Sequence, residues 1–354
     1  MNKTHSMWLR ILTLVMLLTI CFTACARTDE PEETEAAETT GVVIETTTEE
    51  ETTTEKKTSK HDIMEQECEY RVLISSDQHY TYKQTWYSVT PEDRLQMWVN
   101  AVLAEHERRP FDLIILNGDY SLDYWGAGGS VLTDGKCTTK DFVDKYVSQI
   151  RAAMPNVPLF ILPGNHDAFK DDTWFEMTGN HRQETYKLGN NVFVMMDSYA
   201  NNLEPAVEPA GGASFLSPMD TEYLKDQVEA YPDCNIYLVS HHFGFNENMN
   251  AEFRTVVAEN DNIVALFQGH EHKIDILNLG ITYNNKKIFN TGNFSYTGDE
   301  DHINSTFWGF RDLLILEENA YSRYIIADSR AQVKGKWKDF TRSIKEPGEI
   351  EYPD

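Results

Sequence analysis

Cysteine is scarce, five in 354 residues. Cys21 and Cys25 belong to the N-terminal apolar segment, which leaves Cys68, Cys137 and Cys234 for whatever folds behind it. Three thiols without a close pair exclude a disulfide-built scaffold and a zinc knuckle; an odd number cannot all pair, so at most one disulfide is expected. Basic residues are also few, 31 against 57 acidic, for a net charge of -26. That excess repels a nucleic-acid backbone or an anionic membrane face at long range, so no nucleic-acid binding is expected. Beyond the first 25 residues no apolar stretch is long enough to cross a bilayer. What is present is 41% apolar and 12% aromatic residues, enough for a substantial core in one large domain or two ordinary ones.

Residues 1–25 read as an export signal: Lys3 and Arg10 in a basic start, then an apolar run from Ile11 to Phe22 too short to span a membrane. The ending Phe22-Thr23-Ala24-Cys25 resembles a bacterial lipobox, with Phe22 where Leu is usual. That resemblance implies a lipidated Cys25 that anchors the protein on the extracytoplasmic face of the cell membrane; Cys21, behind Ile20, is the poorer candidate. An ordinary secretory signal is the alternative. Residues 26–66 carry four basic side chains against thirteen acidic ones, a net charge of -9, and almost no large apolar residue. Such a stretch cannot bury enough surface to offset its ordering entropy. A disordered Thr/Glu-rich tether is expected, with a reach of roughly 35 Å.

From residue 67 to 341 strands and helices alternate. Tyr70 to Ser76, Leu113 to Leu116 and Leu159 to Leu162 read as buried strands. Between them, Thr90-Pro91 opens a helix through Leu95, Trp98, Val99, Val102 and Leu103, and a second helical pattern runs from Thr139 to Met154. This β-α-β-α-β order implies parallel strands with helices on the faces. Val192 to Met196, Ile236 to Ser240 and Ile263 to Phe267 continue the series, with helices from Ser217-Pro218-Met219-Asp220 to about Tyr231 and over Ala251 to Ala258. Then come short segments at Ile281 to Tyr283, Lys287 to Asn290, Leu313 to Leu316 and Tyr321 to Ala327, expected to complete a second sheet. Residues 342–354 read as a loose C-terminal tail.

Five strands end in polar side chains. Asp77-x-His79, Gly118-Asp119, Gly164-Asn165-His166-Asp167, His241-His242 and Gly269-His270-x-His272 each follow an apolar run, and they are expected to converge on one edge of a sheet. Carboxylate, carboxamide and imidazole without thiolate suit divalent Mn, Fe, Zn or Co. A carboxylate shared between two such ions lets the pair lower the pKa of a water and clamp a phosphoryl displacement. The glycines before Asp119, Asn165 and His270 are expected to permit sharp turns.

In this order the five motifs, spanning about 200 residues from Asp77 to His272, resemble the calcineurin-like metallophosphoesterases. The resemblance implies a four-layer α-β-β-α sandwich of two mixed sheets with flanking helices. It also implies hydrolysis of a phosphomonoester or phosphodiester by a metal-bound hydroxide. Asp77, His79 and His272 would hold one ion, Asp119 would bridge, and Asn165, His241 and His270 would complete the second. His166 would face the substrate and protonate the leaving oxygen, with Asp167 orienting its ring. The family's ligand is the His two residues before a Pro, here replaced by Phe243, which selects His241 and leaves His242 a minor candidate. Purple acid phosphatases lack the first-motif His and carry a Tyr three residues after the bridging Asp; His79 is present here and that position is Leu122, so an iron-phenolate site is not implied.

Tyr80, Trp86, Tyr120, Trp125, Phe169, Trp174, Phe294 and Tyr296 follow the site strands, where they either stack on a substrate group or pack the core. His106, His181 and His302 are expected to be structural or solvated, with His302 within possible reach of the pocket. The rival functions are a catalytically silent surface-binding lipoprotein on the same fold and a solute receptor, the latter leaving the five-part motif without a purpose.

Overall fold

The computed structural model describes residues 66–82, 84–121, 138–167, 169–199, 216–296, 308–328 and 348–353. The signal segment with Cys25, the tether, and Cys137 lie outside the described residues. Twelve described strands form two six-stranded sheets. In the first, β1 (Tyr70–Ser75), β2 (Leu113–Asn117) and β3 (Leu159–Leu162) run parallel. Antiparallel β10 (Trp308–Ile315), β11 (Asn319–Asp328) and β12 (Gly348–Glu351) extend it from β1. In the second, β5 (Asn191–Met196), β6 (Asn235–Ser240), β7 (Ile263–Gln268) and β9 (Lys287–Asn290) are parallel, with antiparallel edges β4 (Glu184–Leu188) and β8 (Ile276–Asn278).

Period-two alternation along the strands sorts side chains into three cores and so fixes the layers. Leu73, Ile114, Leu116 and Ile161 pack against α1 (Pro91–Arg108), α2 (Thr138–Phe142), a π-helical turn (Val143–Val147) and α3 (Ser148–Ala153). Their neighbours Val72, Ile74 and Ile115 face Phe193, Tyr237, Val239 and Phe267 between the sheets. Val194, Leu238 and Leu266 meet α5 (Thr221–Ala230) and α6 (Ala251–Glu259) on the far side. The order helix, sheet, sheet, helix is the four-layer sandwich the sequence implied. Thr90 caps α1, its Oγ1 accepting from Asp93 N at 3.2 Å with Pro91 in the first turn, as read.

Several sequence expectations are corrected. The motif-bearing ends come from both sheets, β1 to β3 and β6 to β7, rather than one sheet's edge. The late strands divide between the sheets instead of completing the second alone. Ile281–Tyr283 is a 3-10 turn, opened by Gly280 and closed by Asn284 at positive φ, which a strand would not allow. The segment from Thr139 to Met154 is helical but interrupted by the π turn. The tail expected from residue 342 contains β12: Ile350 is buried between the sheets and pairs with Ala320, because one apolar side chain and an unsatisfied edge suffice to hold a short strand. Edge strand β4 and α4 (Asp171–Thr178) were not anticipated.

Candidate metal centre

The two sheets are joined at the carboxyl ends of their strands. Asn117 at the end of β2 donates from Nδ2 to Ser240 O of β6 at 3.0 Å, and its carbonyl accepts from His241 Nδ1 at 2.7 Å. Ser76 Oγ, after β1, lies 2.6 Å from Thr291 Oγ1 beyond β9, and His270 N donates to Asp77 Oδ2 at 3.1 Å. Each apolar strand thus stops where its neighbour across the seam supplies a polar partner, and the five motifs meet there.

Backbone carbonyls set the imidazole tautomers. His79 Nδ1 lies 3.2 Å from Ser121 O, and His272 Nδ1 lies 2.8 Å from Tyr296 O. A carbonyl only accepts, so both protons sit on Nδ1 and both neutral rings turn an Nε2 lone pair inward. Those two Nε2 atoms are 3.1 Å apart. Two lone pairs do not bond each other, so the space between them suits a cation. Asp77 Oδ1 stands 3.3 Å from His272 Nε2 and 3.7 Å from His79 Nε2. Ligand atoms about 2.1 Å from a shared ion are separated by about 3.0–3.5 Å, which these distances approximate.

The second set is built the same way. His241, its Nδ1 tied to Asn117 O, presents Nε2 at 3.3 Å from Asp119 Oδ2; Asn165 Oδ1 lies 2.9 Å from His270 Nδ1. Asp119 Oδ2 is also 3.6 Å from His79 Nε2, so one oxygen faces both sets, while Asp119 Oδ1 accepts from His166 N at 2.9 Å. Asp77 Oδ1 and His241 Nε2 are buried without a hydrogen-bond partner. Orphaned ligand atoms in a shell of hard and borderline donors fit a pair of divalent ions.

Burial by itself would raise the Asp77 carboxyl, but the imidazoles of His272 and His241 outweigh it and hold it below the usual carboxylate range. Asp119 is likewise held well down, burial being overcome by His241 and His166. Burial lowers His79, and it takes His270 to about 3 with His241 adding to the effect. His241 and His272 go the other way: burial opposes a proton on each, but Asp119 and Asp77 lift His241 to about 9 and Asp77 raises His272. Positive charge is stabilised where the two carboxylates face the rings.

The backbone stores strain here. Asp77, His79, Asp119, His270 and His272 all have positive φ, between 43° and 64°. Each costs about 1–3 kcal/mol in a non-glycine residue and persists only because the surroundings over-determine it. The expected glycine turns are partly corrected. Gly118 has φ 88°, and a Cβ there would meet His241 Nδ1 at 2.5 Å. Gly164 is needed for room instead, because a Cβ would run into the Asp119 carboxylate.

His166 is buried, with its ring 5.1 Å from that of His79 and Nδ1 unpartnered; burial lowers it to about 4. Asp167 does not orient that ring. Its Oδ2 accepts from Asp119 N at 2.7 Å, Gly164 N at 3.0 Å and Tyr120 N at 3.3 Å, while Oδ1 accepts from Thr139 Oγ1 at 3.0 Å. A carboxylate with three amides converging on it is already committed, so Asp167 is a positioning residue that ties the Asp119 loop to the Asn165 loop. Burial, then the Asp119 charge, pushes it up to about 7. Asp167→Ala is expected to weaken divalent-metal binding by about 10–100-fold, the usual cost of an outer partner. Titration calorimetry checks this, and an unchanged affinity would refute the role.

Tyr80, Tyr120, Phe169, Trp174 and Phe294 are buried in the helix-side core, which removes them as stacking platforms. Trp86 and Tyr296 stay at the site, with ring centroids 5.3 Å apart and Tyr296 4.8 Å from His272. Leu122, Trp125 and His302 lie outside the described residues. Phe243 is buried and stacks on Phe253. Cys68 and Cys234 are both buried. His106 Nδ1 accepts from Phe111 N at 3.0 Å, and exposed His181 pairs with Asp171.

Sequence reading missed Arg94, fully buried on α1. It donates to the carbonyls of Gln78, His79 and Phe294 and packs on Trp86, holding the strained loop after β1. Its helical position is visible in the sequence, but a charged residue amid Leu95 and Trp98 gives no sign that it turns inward.

The family profile for calcineurin-like phosphoesterases matches residues 70–274. Among solved structures the chain is similar to a dimetal phosphatase from Danio rerio, with 10% identity and TM-score 0.55 over 81% of this chain and 100% of that one. It is also similar to GAP50, the anchor in the inner membrane complex of Plasmodium, with 11% identity and TM-score 0.52 over 81% and 90% of the two chains. At these identities the likeness speaks for the fold. No curated protein sequence matches.

Proposed function

Because the chain belongs to the calcineurin-like phosphoesterase family, we propose that it hydrolyses a phosphoester, working with two divalent ions of the Mn, Fe, Zn or Co type. Asp77, His79 and His272 would hold one ion, Asn165, His241 and His270 the other, and Asp119 both. The observation that carries this reading is the inward convergence of carbonyl-fixed imidazole lone pairs on two buried carboxylates. Such an ion pair, when bound, lowers the pKa of water and neutralises phosphoryl charge. The chain does the rest. Carbonyls and the Asp167 knot keep the ligands in place before substrate arrives, so little reorganisation is needed at reaction. His166, beside His79 and free at Nδ1, is placed to hydrogen-bond the phosphoryl group and give a proton to the leaving oxygen. An anionic phosphoryl group beside the ring favours its protonated form.

The test uses the full chain with added Mn on p-nitrophenyl phosphate and bis-p-nitrophenyl phosphate. Turnover that EDTA abolishes and Mn restores is expected, together with a metal-dependent rise in stability of about 4 kcal/mol at a thousandfold excess over Kd. Bound metal with no turnover on either ester would instead support a silent binding protein. We assign the lipobox-like segment the role of anchoring this activity outside the cell through Cys25. In a bacterial host, Cys25→Ala should fail to incorporate labelled palmitate; equal labelling of both forms would overturn the anchor.

A further inference from the structure

His241 and His242 are adjacent in sequence but have opposite fates. His241 is fully buried and aims Nε2 at Asp119, while His242 is half-buried and makes no hydrogen bond to any described residue. What fixes its ring is stacking: the centroid lies 4.3 Å from that of His270, with the planes 16° apart. His242 also has a ring nitrogen within 4.8 Å of ligand atoms of His270 and Glu271. Glu271 is engaged by Lys273 Nζ at 2.7 Å. A third ion among these residues would compete with Lys273 for Glu271 and share His270 with the second set, so the cluster is better suited to binding an organic group.

His166 packs against His79 and His242 against His270, so each of the two rings lies beside a residue of a different set. His166 serves the leaving group. A phosphodiester carries a second substituent that stays on phosphorus, and it needs room and a partner away from His166. Resting on the phosphoesterase reading, we infer that His242 is a specificity-determining residue that hydrogen-bonds an oxygen or nitrogen of that second substituent. The substrate class is then a phosphodiester whose retained group is hydroxylated or heterocyclic, as in a nucleoside or polyol ester. One ring face is already covered by His270, so the edge nitrogens are what the ring offers a ligand.

Three probes share one leaving group and differ in the retained one: p-nitrophenyl phosphate, bis-p-nitrophenyl phosphate, and the p-nitrophenyl ester of thymidine 5′-phosphate. In the full chain loaded with Mn, His242→Phe keeps an aromatic ring to stack and removes both nitrogens. Its kcat/KM on the thymidine diester is expected to fall about 5–10-fold further than on the monoester, the worth of one hydrogen bond, and mainly through KM. His242→Asn should recover part of that loss, and bound Mn should match the parent in both variants. An equal loss on all three probes, a loss of bound Mn, or no loss would each overturn the inference. Turnover of none of the three by the parent is a separate result that would sink the phosphoesterase reading and this inference with it.

Discussion

Asp119→Asn is expected to lower kcat on both p-nitrophenyl esters by at least about 10³-fold, since even one preorganised transition-state donor is worth 10²–10³. Asp119 Oδ2 is 3.6 Å from His79 Nε2 and 3.3 Å from His241 Nε2, whereas Asp77 Oδ1, beside His272, stands 3.9 Å from His241 Nε2. An amide of the same size keeps the hydrogen bond from His166 N to Oδ1 but gives up the negative charge, and with it the reason for two cations to share a small buried volume. Bound Mn should fall by more than the 10–100-fold in affinity that loss of an outer partner costs. Elemental analysis of the dialysed variant beside the parent reads the second effect separately. A variant that keeps both ions and most of its turnover would remove Asp119 from the centre of the site.

The second large effect belongs to His166→Ala, with a different signature: kcat lower by about 10²–10⁴-fold while bound metal stays at the parental level. The ring hydrogen-bonds no ligand side chain, and the bond it does supply to Asp119 comes from the backbone, which alanine retains. Because the ring acts on the leaving oxygen, the loss should grow as the leaving group becomes more basic. It should be smaller on p-nitrophenyl phosphate than on glycerol phosphate. An equal loss on both would mean that His166 binds the phosphoryl group without transferring a proton. Loss of metal would make it a structural residue.

Much of this architecture is legible in the amino-acid sequence. Apolar runs such as Leu113 to Leu116 read as strands because they are buried on both faces, and Thr90-Pro91 reads as a helix start because its capping chemistry is local. Polar residues at strand ends marked the site because a buried sheet has no structural use for Asp-x-His or Gly-Asn-His-Asp there. Elsewhere the local signal failed. β10 begins at Trp308, but Arg311 and Asp312 hid its first half; both are buried, Arg311 bonded to Asn290 O and Asp312 paired with Arg71. β12 was read as tail because Gly348-Glu-Ile-Glu has one apolar residue, which matters only once β11 offers an edge.

The sequence alone determined which residue types would meet, the number and order of the strands that carry them, and the fold family, since each is written in contiguous runs of a few residues. The tertiary structure alone decided that the motifs close across two sheets and that five of the motif residues sit in left-handed backbone. It also decided that Asp167 ties loops together instead of steering His166, and that the His242 ring stacks on His270. These depend on contacts between residues as far as 215 positions apart, such as Ser76 Oγ with Thr291 Oγ1. Short-range propensity carries no information about which distant carbonyl or carboxylate a side chain will find, and at a seam between two sheets those distant partners set the chemistry.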